Sequence, residues 1–303
     1  MMQGLAAFAM SARWRAIVVA TLSAAGAWVL PPLTSPLVYL GGAVIGLVTL
    51  RLGALQGLSV AGAGGAALAL VGAVGSGFAL PMVVGAWVLW LPAWALGVLL
   101  RSSRSLALCL QGAAAFGLLL IIAAYAWLGQ PAAWWAPRLD ALLGPAFAAQ
   151  GLDTAQYFPA LARWMTAMSV AALMFGALMS LLLARAWQAG LYNPGGFGTE
   201  FRSLRLGKGF AVMSLATVMI ATVTSGSVAE LSADAVVVLL VVYLLQGLAL
   251  VHAVVHNRRA HRGWLIGLYV VLLMAALQVM PLLALLGWMD AWIDFRTRVG
   301  RSV

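Results

Sequence analysis

The chain has 303 residues, of which 64% are hydrophobic and only 8% charged, where a soluble domain carries roughly 45–50% and 25%. Its mean hydropathy is +1.04. So few charges cannot wet a globule of this size, which excludes a soluble enzyme, a disordered chain and a secreted disulfide scaffold and leaves a chain dissolved in lipid.

The formal charge is +10, from 17 Lys and Arg against 7 Asp and Glu. In a soluble protein that surplus would suggest nucleic acid. Here the basic residues stand singly or in small groups between long apolar runs, so membrane topology explains them and no nucleic-acid partner is expected. Lys208 is the only lysine. Together with the alanine load, this points to a GC-rich bacterial genome and to the bacterial cytoplasmic (inner) membrane. Cys109 is the one cysteine and lies inside an apolar run. It reads as a small buried hydrophobe, and neither a disulfide nor a cysteine metal site is expected.

A membrane-spanning helix needs about 20 apolar residues. Nine segments qualify: 16–33, 36–50, 54–75, 78–100, 105–128, 160–184, 210–229, 235–256 and 264–286. The expected fold is all-α, a polytopic transmembrane bundle of eight or nine spans that forms one integral membrane domain over residues 1–303. The doubt in the count comes from the short second segment and the glycine-rich third, either of which can be broken or re-entrant. Arg13 and Arg15 precede the first run, and Ser23 to Ala27 resembles a signal-peptide cleavage region. More apolar runs follow at once, so the first run is expected to be a retained anchor.

The third segment carries a small residue at every fourth position: Gly53, Gly57, Ala61, Gly65, Ala69 and Ala73. Residues four apart share a helix face, so this face is smooth and lets another backbone approach. In the fourth segment Trp87, Trp90 and Trp94 share one face. Packing on the smooth face is the preferred reading over stacking on a flat ligand. The sixth segment repeats the small-residue device with Ala172, Gly176, Ser180 and Ala184.

Between the fifth and sixth segments, residues 130–159 hold Trp134, Trp135, Pro137 and Tyr157, with Leu139, Leu142, Leu143 and Phe147 at helical spacing. A helix lying in the interface is expected, with a lid over an outward cavity as the alternative. With nine spans and a cytoplasmic N-terminus, twelve basic residues lie inside and five outside, as the excess of Lys and Arg in cytoplasmic loops demands.

No Asp, Glu, Lys or Arg is expected near the centre of a span, which argues against a self-powered transporter. Gln111, Gln246, His252 and Gln278 are the uncharged candidates for a polar cavity that takes a small molecule. His252 and His256 share a helix face, but no acidic residue accompanies them and Arg258, Arg259 and Arg262 follow. No metal site is expected there. Neither a phosphate-binding Gly-Lys-Ser/Thr loop nor a Gly-x-Ser-x-Gly elbow is present, so no catalytic residue, enzyme activity or cofactor is expected.

The most distinctive stretch runs from Arg185 to Phe197. Tyr192, Asn193, Pro194, Gly195, Gly196 and Phe197 make dense turn chemistry, because proline fixes one φ and glycine permits positive φ. A short cytoplasmic helix is expected over 199–208, with Arg202, Arg205 and Lys208 on one face; the whole element covers about 186–209. It reads either as a membrane-surface helix that directs its bases to anionic lipid, or as a docking element for a cytoplasmic or membrane protein partner. At the other end of the chain, Gly287 to Arg296 contains Asp290 and Asp294 on one face, followed by Phe295 and Arg296. Asp294 and Arg298 are spaced to pair.

These two patches, Arg185 to Phe197 and Gly287 to Arg296, resemble the corresponding stretches of the YybS-like family of bacterial polytopic membrane proteins, with weaker support from Gly247 to His252. Gly198 and Thr199 depart from the charge that relatives carry there. The resemblance implies a fold similar to the membrane substrate-binding subunits of energy-coupling factor transporters and to MreD-type proteins. It implies a subunit that captures a small molecule and relies on a partner for energy. The competing expectation is a non-transport scaffold of the cell envelope or division apparatus. A lipid-modifying enzyme is the third reading, with only Asp290, Asp294 and the three histidines to offer.

Overall fold

A computed structural model describes residues 2–29, 37–75, 78–261, 263–293 and 295–296. Every regular element among them is an α-helix: α1 (Met2–Ser11), α2 (Arg13–Val29), α3 (Leu37–Leu52), α4 (Ala54–Gly75), α5 (Ala79–Ser103), α6 (Leu106–Leu128), α7 (Pro131–Ala149), α8 (Thr154–Tyr192), α9 (Gly196–Arg202), α10 (Lys208–Val223), α11 (Gly226–Asn257), α12 (Gly263–Met274) and α13 (Ala276–Ile293). Six of these, α4, α5, α6, α8, α11 and α13, are long and apolar enough to cross a bilayer. Shorter apolar helices cover Tyr39–Leu52, Lys208–Val223 and Gly263–Met274. The segment expected over 264–286 is divided at Ala275 into α12 and α13, and no physical cause for the break is evident.

The chain forms two compact units, residues 1–113 with 173–204 and residues 114–172 with 205–303. In the first unit α3 is the core. Every residue from Gly41 to Leu50 is buried, which explains why so short a helix is hydrophobic all round. The Trp87 and Trp94 indoles of α5 lie on the smooth face of α4, while Trp90 lies between Gly41 of α3 and Gly64, off that face. A Cβ on Gly65 would strike Trp87, one on Gly64 would touch the ring of Trp90, and one on Gly57 would crowd Trp94. The Trp94 indole N–H also donates to the Ala54 carbonyl at 2.8 Å. On the other side of α3, Gly42 faces Ser180 and Gly46 faces Ala184 on α8. Two backbones approach here because neither carries a bulky side chain.

In the second unit α11 is the core and crosses α13 at two glycines. A Cβ on Gly247 would collide with the Leu283 carbonyl, and one on Gly287 with the Tyr243 carbonyl. α10 joins the same group through the Ser214 and Tyr243 hydroxyls, 3.0 Å apart, and through the Trp288 indole, which donates to the Ala211 carbonyl. α7 starts at Pro131, whose fixed φ suits the first turn. It packs Leu139, with Leu143 and Phe147 beside it, on Phe158 and Ala162 of α8. Leu142 points away and is exposed.

Candidate functional site

The turn after α8 is built as its residues dictate. Asn193 accepts the Gly196 N–H on its carbonyl at 3.0 Å. Gly195 sits at φ +87°, a conformation that a side chain would strain. The short helix α9 follows, and Phe197 stacks on Phe201 within it. One contact pins α9 to α8, and a second holds the end of α8 on α3. The Arg185 Nε donates to Glu200 Oε2 at 2.7 Å, and the Arg51 guanidinium lies 4.3 Å from the centre of the Tyr192 ring. Arg202 donates to the Thr199 hydroxyl.

The expected helix over 199–208 requires correction. α9 starts at Gly196 and ends at Arg202, while Lys208 is the first residue of α10. Arg202, Arg205 and Lys208 therefore do not share a helix face. The physical reason is Gln246. This fully buried side chain accepts the Leu206 N–H on Oε1 at 2.8 Å and donates from Nε2 to the Gly287 carbonyl at 2.6 Å. The strand-like stretch from Leu204 to Leu206 buries its two leucines and leaves Arg205 exposed.

Beside the handle lies a cavity of about 470 Å³, lined by Leu50, Leu100, Arg101, Arg104, Arg185, Gln188 and Glu200. Arg101 Nη1 donates to the Leu50 carbonyl at 2.7 Å, which satisfies a free carbonyl at the C-terminus of α3. Arg104 closes α5 in the left-handed region, at φ +53°.

The expected polar cavity residues are dispersed. Gln246 is consumed by the backbone clamp. His252 meets the Tyr269 hydroxyl at 2.9 Å, Gln278 is exposed, and Gln111 belongs to the other unit. At the C-terminal patch Asp290 meets Arg296 at 3.0 Å, both buried, and Phe295 is partly buried. Asp294 and Arg298 lie outside the described residues. Among the described residues no three His, Cys, Asp or Glu side chains gather to hold a metal.

One cluster escaped the sequence reading. α8 and α11 begin earlier than the apolar runs suggest, so Asp234 joins Arg163, already within the expected 160–184, inside helices long enough to cross a membrane. Both lie toward the starts of their helices, away from the centre, where the sequence leads one to expect no charge. Arg163 Nη1 reaches Asp234 Oδ1 at 2.6 Å, Arg163 Nη2 donates to the Glu230 carbonyl, and the Tyr125 hydroxyl donates to Asp234 Oδ2 at 3.0 Å. The Asp234 side chain is only 1% exposed. A charge is tolerated at such a place when it is paired and hydrogen-bonded. The available signal was an arginine, an aspartate and a tyrosine near the expected outer ends of three different spans.

Residues 145–291 match a family described as a predicted membrane protein, DUF2232. That stretch contains the handle, the Arg163–Asp234 pair and the Gln246 clamp. No curated protein and no solved structure matches the chain. The apolar helices and this similarity identify an integral membrane protein.

Proposed function

We propose that the protein is a multi-pass subunit of the bacterial inner membrane that captures a small molecule and is worked by a partner protein through α9. The observation that carries this reading is the attachment of α9 to α8 by the Arg185–Glu200 pair, with the end of α8 held on α3 by Arg51 and Tyr192. A force or contact at α9 would thereby pass through Arg185 to α8 and through Tyr192 and Arg51 to α3. The resemblance to YybS-like proteins, and through them to substrate-binding subunits, supports the same role. In this reading α9 and its arginines face the cytoplasm, in keeping with the excess of Lys and Arg in cytoplasmic loops. No enzyme activity belongs to this reading.

The test is a photoreactive residue at Phe197 or Phe201 in native membranes. The expected product is a cross-link to an ATP-hydrolysing protein, with solute uptake by reconstituted vesicles that requires both proteins and ATP. No cross-link at either position, with a deletion strain that changes cell shape and not uptake, would replace this role with that of an envelope scaffold.

A further inference from the structure

We propose that the cavity beside the handle binds a phosphoester, gripped by Arg104, Arg101 and Arg185 where the ends of α3 and α5 meet α8. The first unit holds seven arginines, Arg13, Arg15, Arg51, Arg101, Arg104, Arg185 and Arg202, and a single acid, Glu200. Three of the seven line this one cavity together with that acid. Glu200 is engaged by Arg185, so the lining keeps a positive surplus that a bound anion would neutralise.

The donors left over are suited to phosphate. A guanidinium carries five N–H groups in a planar fork that fits phosphate oxygens in pairs. The hydrogen bonds within the protein take Nη1 of Arg101 and Nε and Nη1 of Arg185. Among the described residues no partner takes the side chain of Arg104. Its backbone is held at φ +53°, where a residue with a side chain is uncommon. Glycine would close α5 more easily there, so a requirement for the guanidinium explains the arginine.

The remaining walls define the rest of the ligand. A cavity of about 470 Å³ falls in the range of roughly 300–1,000 Å³ typical of small-molecule sites. It admits a phosphate with the organic group that bears it, and Leu50 and Leu100 provide an apolar wall for that group. A phosphorylated solute and an anionic phospholipid headgroup share this chemistry. Filling of the cavity by such a group requires neither transport nor a docked partner.

The experiment uses the purified full chain and two probes. Glycerol 3-phosphate is titrated onto protein in neutral detergent. Separately, nanodiscs of phosphatidylcholine with and without phosphatidylglycerol are compared by native mass spectrometry for retained lipid. Arg104→Gln and Arg104→Gly are measured beside the exposed Arg258→Gln as a control. Saturable glycerol 3-phosphate binding that weakens about tenfold or more in both Arg104 variants supports a solute site, since a charge-assisted hydrogen bond is removed. Retention of phosphatidylglycerol that is lost in both variants, with no response to the soluble probe, supports a headgroup site. Arg104→Gly should fold at least as well as the parent, which separates lost binding from lost structure. Neither probe binding the parent, or equal binding by the parent and both Arg104 variants, overturns the proposal.

Discussion

Arg163 and Asp234 are joined by a 2.6 Å contact between α8 and α11, with Asp234 almost wholly enclosed. A buried pair of this kind adds little stability by itself, but removing one partner strands the other and costs about 3–5 kcal/mol. Arg163→Ala is therefore expected to lower stability by about 3 kcal/mol or more, as measured by unfolding in mixed micelles. The double replacement Arg163→Met with Asp234→Leu should recover most of that loss. Tyr125→Phe, which removes one hydroxyl donor, should cost about 1 kcal/mol.

Gln246 ties the stretch after α9 to α13 by two backbone hydrogen bonds. Gln246→Leu keeps the volume and removes a hydrogen bond from each of two buried backbone groups, the Leu206 N–H and the Gly287 carbonyl. Each such group costs about 1–3 kcal/mol, so a loss of about 2 kcal/mol or more is expected in the same unfolding assay. Faster proteolysis in the stretch 203–207 should accompany it.

The α11–α13 crossing should reject any side chain. In Gly287→Ala the new methyl meets the Tyr243 carbonyl and the Gly247 backbone, which cannot move aside as a side-chain tip can. A loss of at least about 1–3 kcal/mol is expected from overpacking alone. Gly209→Ala opens into free space within the first turn of α10 and should be neutral or slightly stabilising. Midpoints of thermal unfolding for the two variants would show the contrast.

Trp90 is 1% exposed and fills the space between Gly41 and Gly64. Trp90→Ala should cost about 3–5 kcal/mol, as deletion of a buried ring does. Trp127, 89% exposed, has no such cavity to leave, and Trp127→Ala should change the unfolding midpoint little.

The apolar helices were legible in the sequence because span length and hydropathy are local properties. The seat of Trp87 and Trp94 on the small-residue face of α4 was legible too, whereas Trp90 turns between Gly41 of α3 and Gly64, which the spacing did not announce. The limits of α8 and α11 were not. Hydropathy assigns a charge its full cost of leaving water, so the expected spans leave Arg163 at the outer end of 160–184 and stop one residue short of Asp234. Pairing removes most of that cost, and the helices run on through both residues. The pairing joins positions 71 apart, with no local pattern to announce it. The end of α9 was hidden for a similar reason: the spacing of Arg202, Arg205 and Lys208 suits a helix, but a distant glutamine captures the Leu206 N–H and holds the chain extended.

The docking role of the handle requires α9 to face the cytoplasm, where an energising partner would meet it. α8 is long enough to cross the membrane, so Gln150 before it and Ser203 beyond its far end should be reached from opposite sides. Cys109, the only native cysteine, is buried and leaves a quiet background. In intact cells a membrane-impermeant maleimide is expected to label Gln150→Cys at once and Ser203→Cys only after the membrane is opened. Labelling of Ser203→Cys from outside intact cells would contradict the orientation and, with it, the docking role of the handle.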